Sequence, residues 1–169
     1  MNPKVETALN EQIQKEEYSS RLYLAQAIWC EVNGFPGAAT FLFEHAEEER
    51  LHMMKLIRFV NDRGGKTQLL EVEVPPQEYD SVLDIFTQIK EHEMFITESI
   101  NKLYGVTVDE RDYTTGNFLQ WYITEQIEEE SLFNTILDKI KLVGTDKSGM
   151  FHIDKELDGM VTGSAPAAE

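Results

Sequence analysis

Apolar residues recur at three- and four-residue steps along most of the chain, the period of amphipathic helices, and they predict four long ones. The first covers about 5–33, with Val5, Leu9, Ile13, Glu16, Ser20, Tyr23 and Ala27 on one stripe. Asn33-Gly34-Phe35-Pro36-Gly37 is a turn cluster. The second helix runs from about 37 to 63 with Ala38, Phe41, His45, Glu49, His52, Leu56 and Phe59 inward, and Gly64-Gly65 ends it. The third, about 81–104, turns Val82, Phe86, Ile89, Glu93, Ile96, Ile100 and Leu103 inward, and Gly105 to Thr115 reads as a connection. The fourth, about 113–143, carries Phe118, Tyr122, Gln126, Glu129, Phe133, Ile136 and Ile140. Gly144 to Gly149 breaks the chain, Met150 to Leu157 forms a short fifth helix, and the last residues, 161–169, read as a disordered tail.

Residues 64–79 set the topology. A helix the length of the second is about 40 Å long, and the connection, stretched, reaches about 50 Å. It can cross the whole bundle, which makes the third helix parallel to the second. The expected fold is all-α: one four-helix bundle over residues 1–160, with a long crossover between helices 2 and 3.

Each stripe turns polar in its middle. An unpaired charge inside a core is strongly disfavoured, so these interruptions require partners. Glu49-x-x-His52 places a carboxylate and an imidazole on one helical face, where one metal ion can take both. The interval from Glu16 to Glu49 recurs from Glu93 to Gln126, and Gln126-x-x-Glu129 repeats the spacing of Glu49-x-x-His52. Two similar hairpins offering ligands at one level of a shared core would give this repeat. Glu16, Glu49 and His52 then make one site, and Glu49, Glu93 and Glu129 a second, with Glu49 as bridge. Carboxylates with an imidazole suit iron or manganese. Tyr23 is either a hydrogen-bond donor or redox partner at the edge of this site, or a packed core tyrosine. His45 lies about a turn above Glu49 and reads as a core or interface histidine.

The composition narrows the function. A formal charge of −16 over 169 residues disfavours nucleic acid and anionic membranes and favours cations. The single cysteine, Cys30, cannot form an intrachain disulfide or a CxxC metal or redox site. No charged-then-apolar leader and no apolar run near 18 residues is present, which predicts a cytoplasmic protein.

Five segments together resemble the bacterial non-haem ferritins: Glu16 with Tyr18-Ser19-Ser20; His45-Ala46-Glu47-Glu48-Glu49-x-x-His52; Asn117-Phe118-Leu119-Gln120-Trp121-Tyr122; Glu125-Gln126-x-Glu128-Glu129; and Phe151-His152-Ile153-Asp154-Lys155-Glu156-Leu157. The resemblance implies a hollow shell of 24 subunits that oxidises iron(II) with O₂ or peroxide at a ferroxidase centre in each bundle and stores ferric mineral. It implies that Glu16, Glu49, His52, Glu93, Gln126 and Glu129 form that centre, and that Glu48, Glu125 and Glu128 hold a third iron. Bacterioferritins carry a second E-x-x-H where this chain has Gln126-x-x-Glu129, and a haem-ligating methionine where it has Arg50. Haem is therefore not expected. From the residues alone two rivals stay open: a non-enzymatic bundle whose acids serve solubility or partner binding, and a manganese or mixed-metal oxidase.

Overall fold

A computed structural model describes residues 1–161, which form five α-helices: α1 Pro3–Val32, α2 Pro36–Asp62, α3 Val82–Asp109, α4 Tyr113–Val143 and α5 Lys147–Val161. Of the tail expected over 161–169, Val161 is the last residue of α5 and the rest lies outside the described residues. No helix among the described residues is long and apolar enough to cross a membrane.

Local chemistry sets the helix ends. Asn2 caps α1, its side chain accepting from the Lys4 amide at 2.9 Å, and Pro3 follows where a missing N–H costs nothing. Beyond α2, Gly64 takes φ +68°, and the Gly65 amide reaches back to the Val60 carbonyl at 2.9 Å. Ser81 caps α3 through the Asp84 amide.

Three boundaries differ from the sequence reading: the end of α3 and both ends of α5, which runs to Val161 rather than Leu157. Helix α3 does not stop near Tyr104 but continues through Gly105 to Asp109. A helical glycine costs about 1 kcal/mol against alanine, but buried Thr107 packs on Gly116 of α4 and anchors the extra turn. The α3–α4 connection is thus only residues 110–112, with Arg111 at φ 55° and Asp112 capping α4 through the Thr115 amide. Helix α5 begins earlier than expected because Asp146 accepts from the Ser148 and Gly149 amides, outweighing Gly149 as a breaker.

The crossover runs along α1. Asn10 bonds the backbone of Lys66 and Gln68, the Gln14 amide donates to the Glu71 carbonyl, and Tyr79 stacks edge-on against Trp29. A segment without a ladder of its own thus has backbone groups paired by α1 side chains. It carries the chain from the end of α2 back to the level of its start, so α3 runs parallel to α2, as the linker length predicts. Helices α2 and α4 are antiparallel: Phe59 stacks on Phe118, the Tyr122 hydroxyl donates to the His52 carbonyl, and His45 meets Phe133.

Helix α5 closes one end. Phe35 precedes α2 without a side-chain cap. Asp154 of α5 supplies it, accepting from the Gly37 amide at 3.1 Å and the Ala38 amide at 2.8 Å. A Cβ on Gly37 would lie 1.8 Å from the Asp154 carbonyl oxygen, so only glycine admits this approach.

The core is divided. One apolar cluster contains Tyr23, Phe41, Leu42, Phe86, Phe133, Ile153 and Leu157. The other contains Val5, Leu9, Ile13, Leu56, Ile96, Ile100, Leu119 and Tyr122. Between them lies a buried polar layer.

Candidate metal centre

That layer is built from the polar interruptions of the four stripes. Glu16, Glu49, His52, Glu93, Gln126 and Glu129 are all buried. Of the predicted inward positions, only Ser20, His45, Phe59 and Phe118 are half-buried. Glu16, Glu49 and His52 each offer a ligand atom, and these atoms lie within 4.8 Å of one another; His52 Nδ1 is 3.4 Å from Glu49 Oε2. The structure thus brings together the three residues expected for the first site. Carboxylate and imidazole come from one turn of α2, and the second carboxylate comes across from α1.

The second half is organised differently. Glu93 is already engaged on both oxygens: the Tyr23 hydroxyl donates to Oε1, and the Gln126 amide donates to Oε2 at 2.9 Å. Tyr23 is both packed and polar, fully buried with its hydroxyl on a carboxylate of the centre. Glu93 and Glu129 lie close enough to Glu49 to repel its charge, without joining it in a ligand group of the first kind.

Burial and mutual repulsion dominate the electrostatics. Desolvation, then the Glu49 charge, hold the Glu16 carboxyl well above the usual range. Glu49 is raised well above it too, by desolvation and then Glu93, and a hydrogen bond between the Glu16 and Glu49 carboxyls favours the neutral form of the former and the anion of the latter. Desolvation and Glu93 push Glu129 to about 8. Glu129 Oε2 is buried without a hydrogen-bond partner. A cluster of acids whose ionisation is opposed by desolvation and mutual repulsion is a place where a multivalent cation relieves both costs.

The three remaining candidates separate. Glu48 and Glu125 join His52 in a second group within 4.8 Å, with His52 Nε2 4.0 Å from Glu125 Oε1. Exposed Glu128 is in none of the ligand groups found among the described residues, though its charge helps to raise Glu125. A third group joins His45, Glu48 and Glu129.

The pattern of the ferritin-like domain matches residues 6–143. The chain belongs to the ferritin family. It is 47% identical to a bacterial non-heme ferritin of Campylobacter jejuni over 155 residues, covering 92% of this chain and 93% of that protein. It is also 47% identical to a probable bacterial non-heme ferritin-like protein of Haemophilus influenzae, over 91% of this chain and 93% of the relative. Among solved structures, an open-pore ferritin from Archaeoglobus fulgidus superposes with a TM-score of 0.92 at 41% identity, covering 94% of this chain and 98% of that one.

Sequence reasoning missed two polar residues of this ferritin's interior. Gln12 donates to Glu16 Oε1 at 2.7 Å and accepts from the Ser99 hydroxyl at 2.7 Å, tying α1 to α3 through the centre. The signal was present, since Gln12 stands four residues before Glu16 on the same face. His92 lies 2.7 Å from the Ser19 hydroxyl with its ring beside Tyr18 and Tyr23, and burial lowers it to about 4. Nothing in its spacing separates it from a solvated histidine.

Proposed function

We propose that the protein is an iron-storage ferritin that oxidises iron(II) with O₂ or peroxide at a di-iron ferroxidase centre within each bundle. The observation that carries this reading is the convergence of Glu16, Glu49 and His52 in a buried layer between two apolar clusters. Family membership and the non-heme ferritin relatives support it.

In this reading Glu16, Glu49 and His52 bind the first iron(II), and Glu49, Glu93 and Glu129 the second, with Gln126 orienting Glu93. Two iron(II) ions together supply two electrons to one O₂, which takes up two protons and leaves as peroxide; the two iron(III) ions pass to the mineral. The carboxyls that bind iron release their protons on doing so. Tyr23 holds Glu93 and stands where a redox-active phenol would serve. Glu48, Glu125 and Glu128 hold a third iron beside the pair, and Glu129 links the two groups. Twenty-four copies form a hollow shell in the cytoplasm, and the charge of −16 per chain draws iron(II) to it.

Mixing the assembled protein with iron(II) without oxygen, then admitting O₂, tests the oxidation. Turnover faster than buffer, lost in His52→Ala, is the expected result; oxidation at the buffer rate would reject the enzymatic reading and leave a bundle whose acids bind cations only.

A further inference from the structure

Three ligand atoms meet at the outer edge of the polar layer. His45 Nε2, a Glu48 oxygen and Glu129 Oε2 lie within 4.8 Å of one another, and Nε2 is 4.0 Å from Oε2. The other ring nitrogen, Nδ1, sits 3.0 Å from the Phe41 carbonyl. A carbonyl only accepts, so Nδ1 carries the proton and donates, and in the neutral ring Nε2 presents a lone pair. Burial favours that neutral ring. The lone pair faces Glu129 Oε2, which is buried, on a residue 6% exposed, and lacks a hydrogen-bond partner.

The ring cannot turn away. Phe41 packs against it with centroids 4.1 Å apart, and Phe133 meets it edge-on at 5.4 Å. An imidazole held by packing, with one N–H on a backbone carbonyl and the other nitrogen aimed at a carboxylate, is arranged as metal-binding histidines commonly are. Two ligands about 2.0–2.2 Å from one tetrahedral ion stand roughly 3.4 Å apart, so the 4.0 Å Nε2–Oε2 separation has to close by only about half an ångström. Exposed Glu48 is free to swing the remaining distance.

We infer that His45, Glu48 and Glu129 form a mixed nitrogen–oxygen site for one borderline divalent transition cation of the zinc(II) type, distinct from the all-carboxylate third site. The nitrogen donor is what selects it, since imidazole favours such ions over magnesium or calcium. The site does not depend on iron oxidation. Glu48 also belongs to the group with His52 and Glu125, so a cation at His45 competes with one there for the same carboxylate.

The test is zinc(II) itself, bound to the assembled full-length protein. Crystals soaked in zinc should give an anomalous peak within bonding distance of His45 Nε2. Calorimetric titration of His45→Leu should lose one zinc per chain or weaken it at least about tenfold. Glu48→Gln, an exposed change that leaves packing intact, should do the same. Peaks at Glu16, Glu49 and His52 with none at His45, or unchanged titrations in both variants, would overturn the site, reduce the His45–Glu129 contact to a shared proton, and leave the oxidation reading standing.

Discussion

The Gln126 side-chain amide donates to Glu93 Oε2 at 2.9 Å, on the opposite side of that carboxylate from the Tyr23 hydroxyl. An amide here holds a carboxylate in place without adding a charge to a layer already rich in acids. Gln126→Glu exchanges the donor for a second anion. The metal-free variant should lose about 1.5–3 kcal/mol, the usual worth of a hydrogen bond to a charged group. Thermal melts should show this deficit shrinking when zinc(II) or iron(II) is added, because a cation between the carboxylates replaces the lost donor. An equal deficit with and without metal would mean that Gln126 serves packing alone.

His52→Ala and Glu93→Ala should each slow the rapid phase of iron(II) oxidation by at least about tenfold, roughly 1.4 kcal/mol at the barrier. Glu93→Ala should still fold, since Glu49 and Glu129 are both raised by the Glu93 charge and lose that repulsion. His52→Ala removes a group that favours the anions of Glu16, Glu93 and Glu129, so its metal-free form should be no more stable than wild type. Stopped-flow initial rates equal to wild type in both variants would remove these residues from the centre.

The metal-free protein should lose stability as pH rises. Glu129 ordinarily titrates near 4.5 and is pushed to about 8 in the fold, so folding favours its neutral form. Its contribution is fully present below about 4.5 and is lost as pH rises through about 8, because the unfolded chain ionises first. Glu129→Gln has no proton to lose. The melting temperature of wild type minus that of Glu129→Gln, followed from pH 5 to 9 in chelator, should fall; a flat difference would place Glu129 in contact with water.

Asp154→Ala removes the cap that α5 gives to α2. The cost should be about 1–2 kcal/mol, read as a lower melting temperature and faster amide exchange at Gly37 and Ala38. Gly37→Ala should be the more severe change, since its methyl meets the Asp154 backbone and α5 must move off the bundle. Unaltered exchange in α5 of the Gly37→Ala variant would contradict the close approach.

If Glu125 and Glu128 hold a third iron, Glu125→Gln/Glu128→Gln should change the number of iron(II) ions oxidised per O₂ consumed. Oxygen-electrode measurements on wild type and the double variant decide it, and an identical ratio would make these two residues surface charge.

Periodicity determined the four long helices, because each must bury one stripe and a stripe repeats along the chain. The same pattern located Glu16, Glu49, His52, Glu93, Gln126 and Glu129, since a polar residue inside an apolar stripe is visible without coordinates. The length of the crossover determined that α3 is parallel to α2, a matter of reach. What lay between elements was decided only by tertiary structure. Thr107 on Gly116 carries α3 past a glycine that local propensity reads as an end, and Asp154 caps a helix far from it in sequence. Glu93 is held by Tyr23 and Gln126, a grip set by side-chain rotamers on three helices. His45 stands a turn from Glu49 on its own helix and so reads as outside the centre; only the antiparallel pairing of α2 with α4 brings Glu129 to face it.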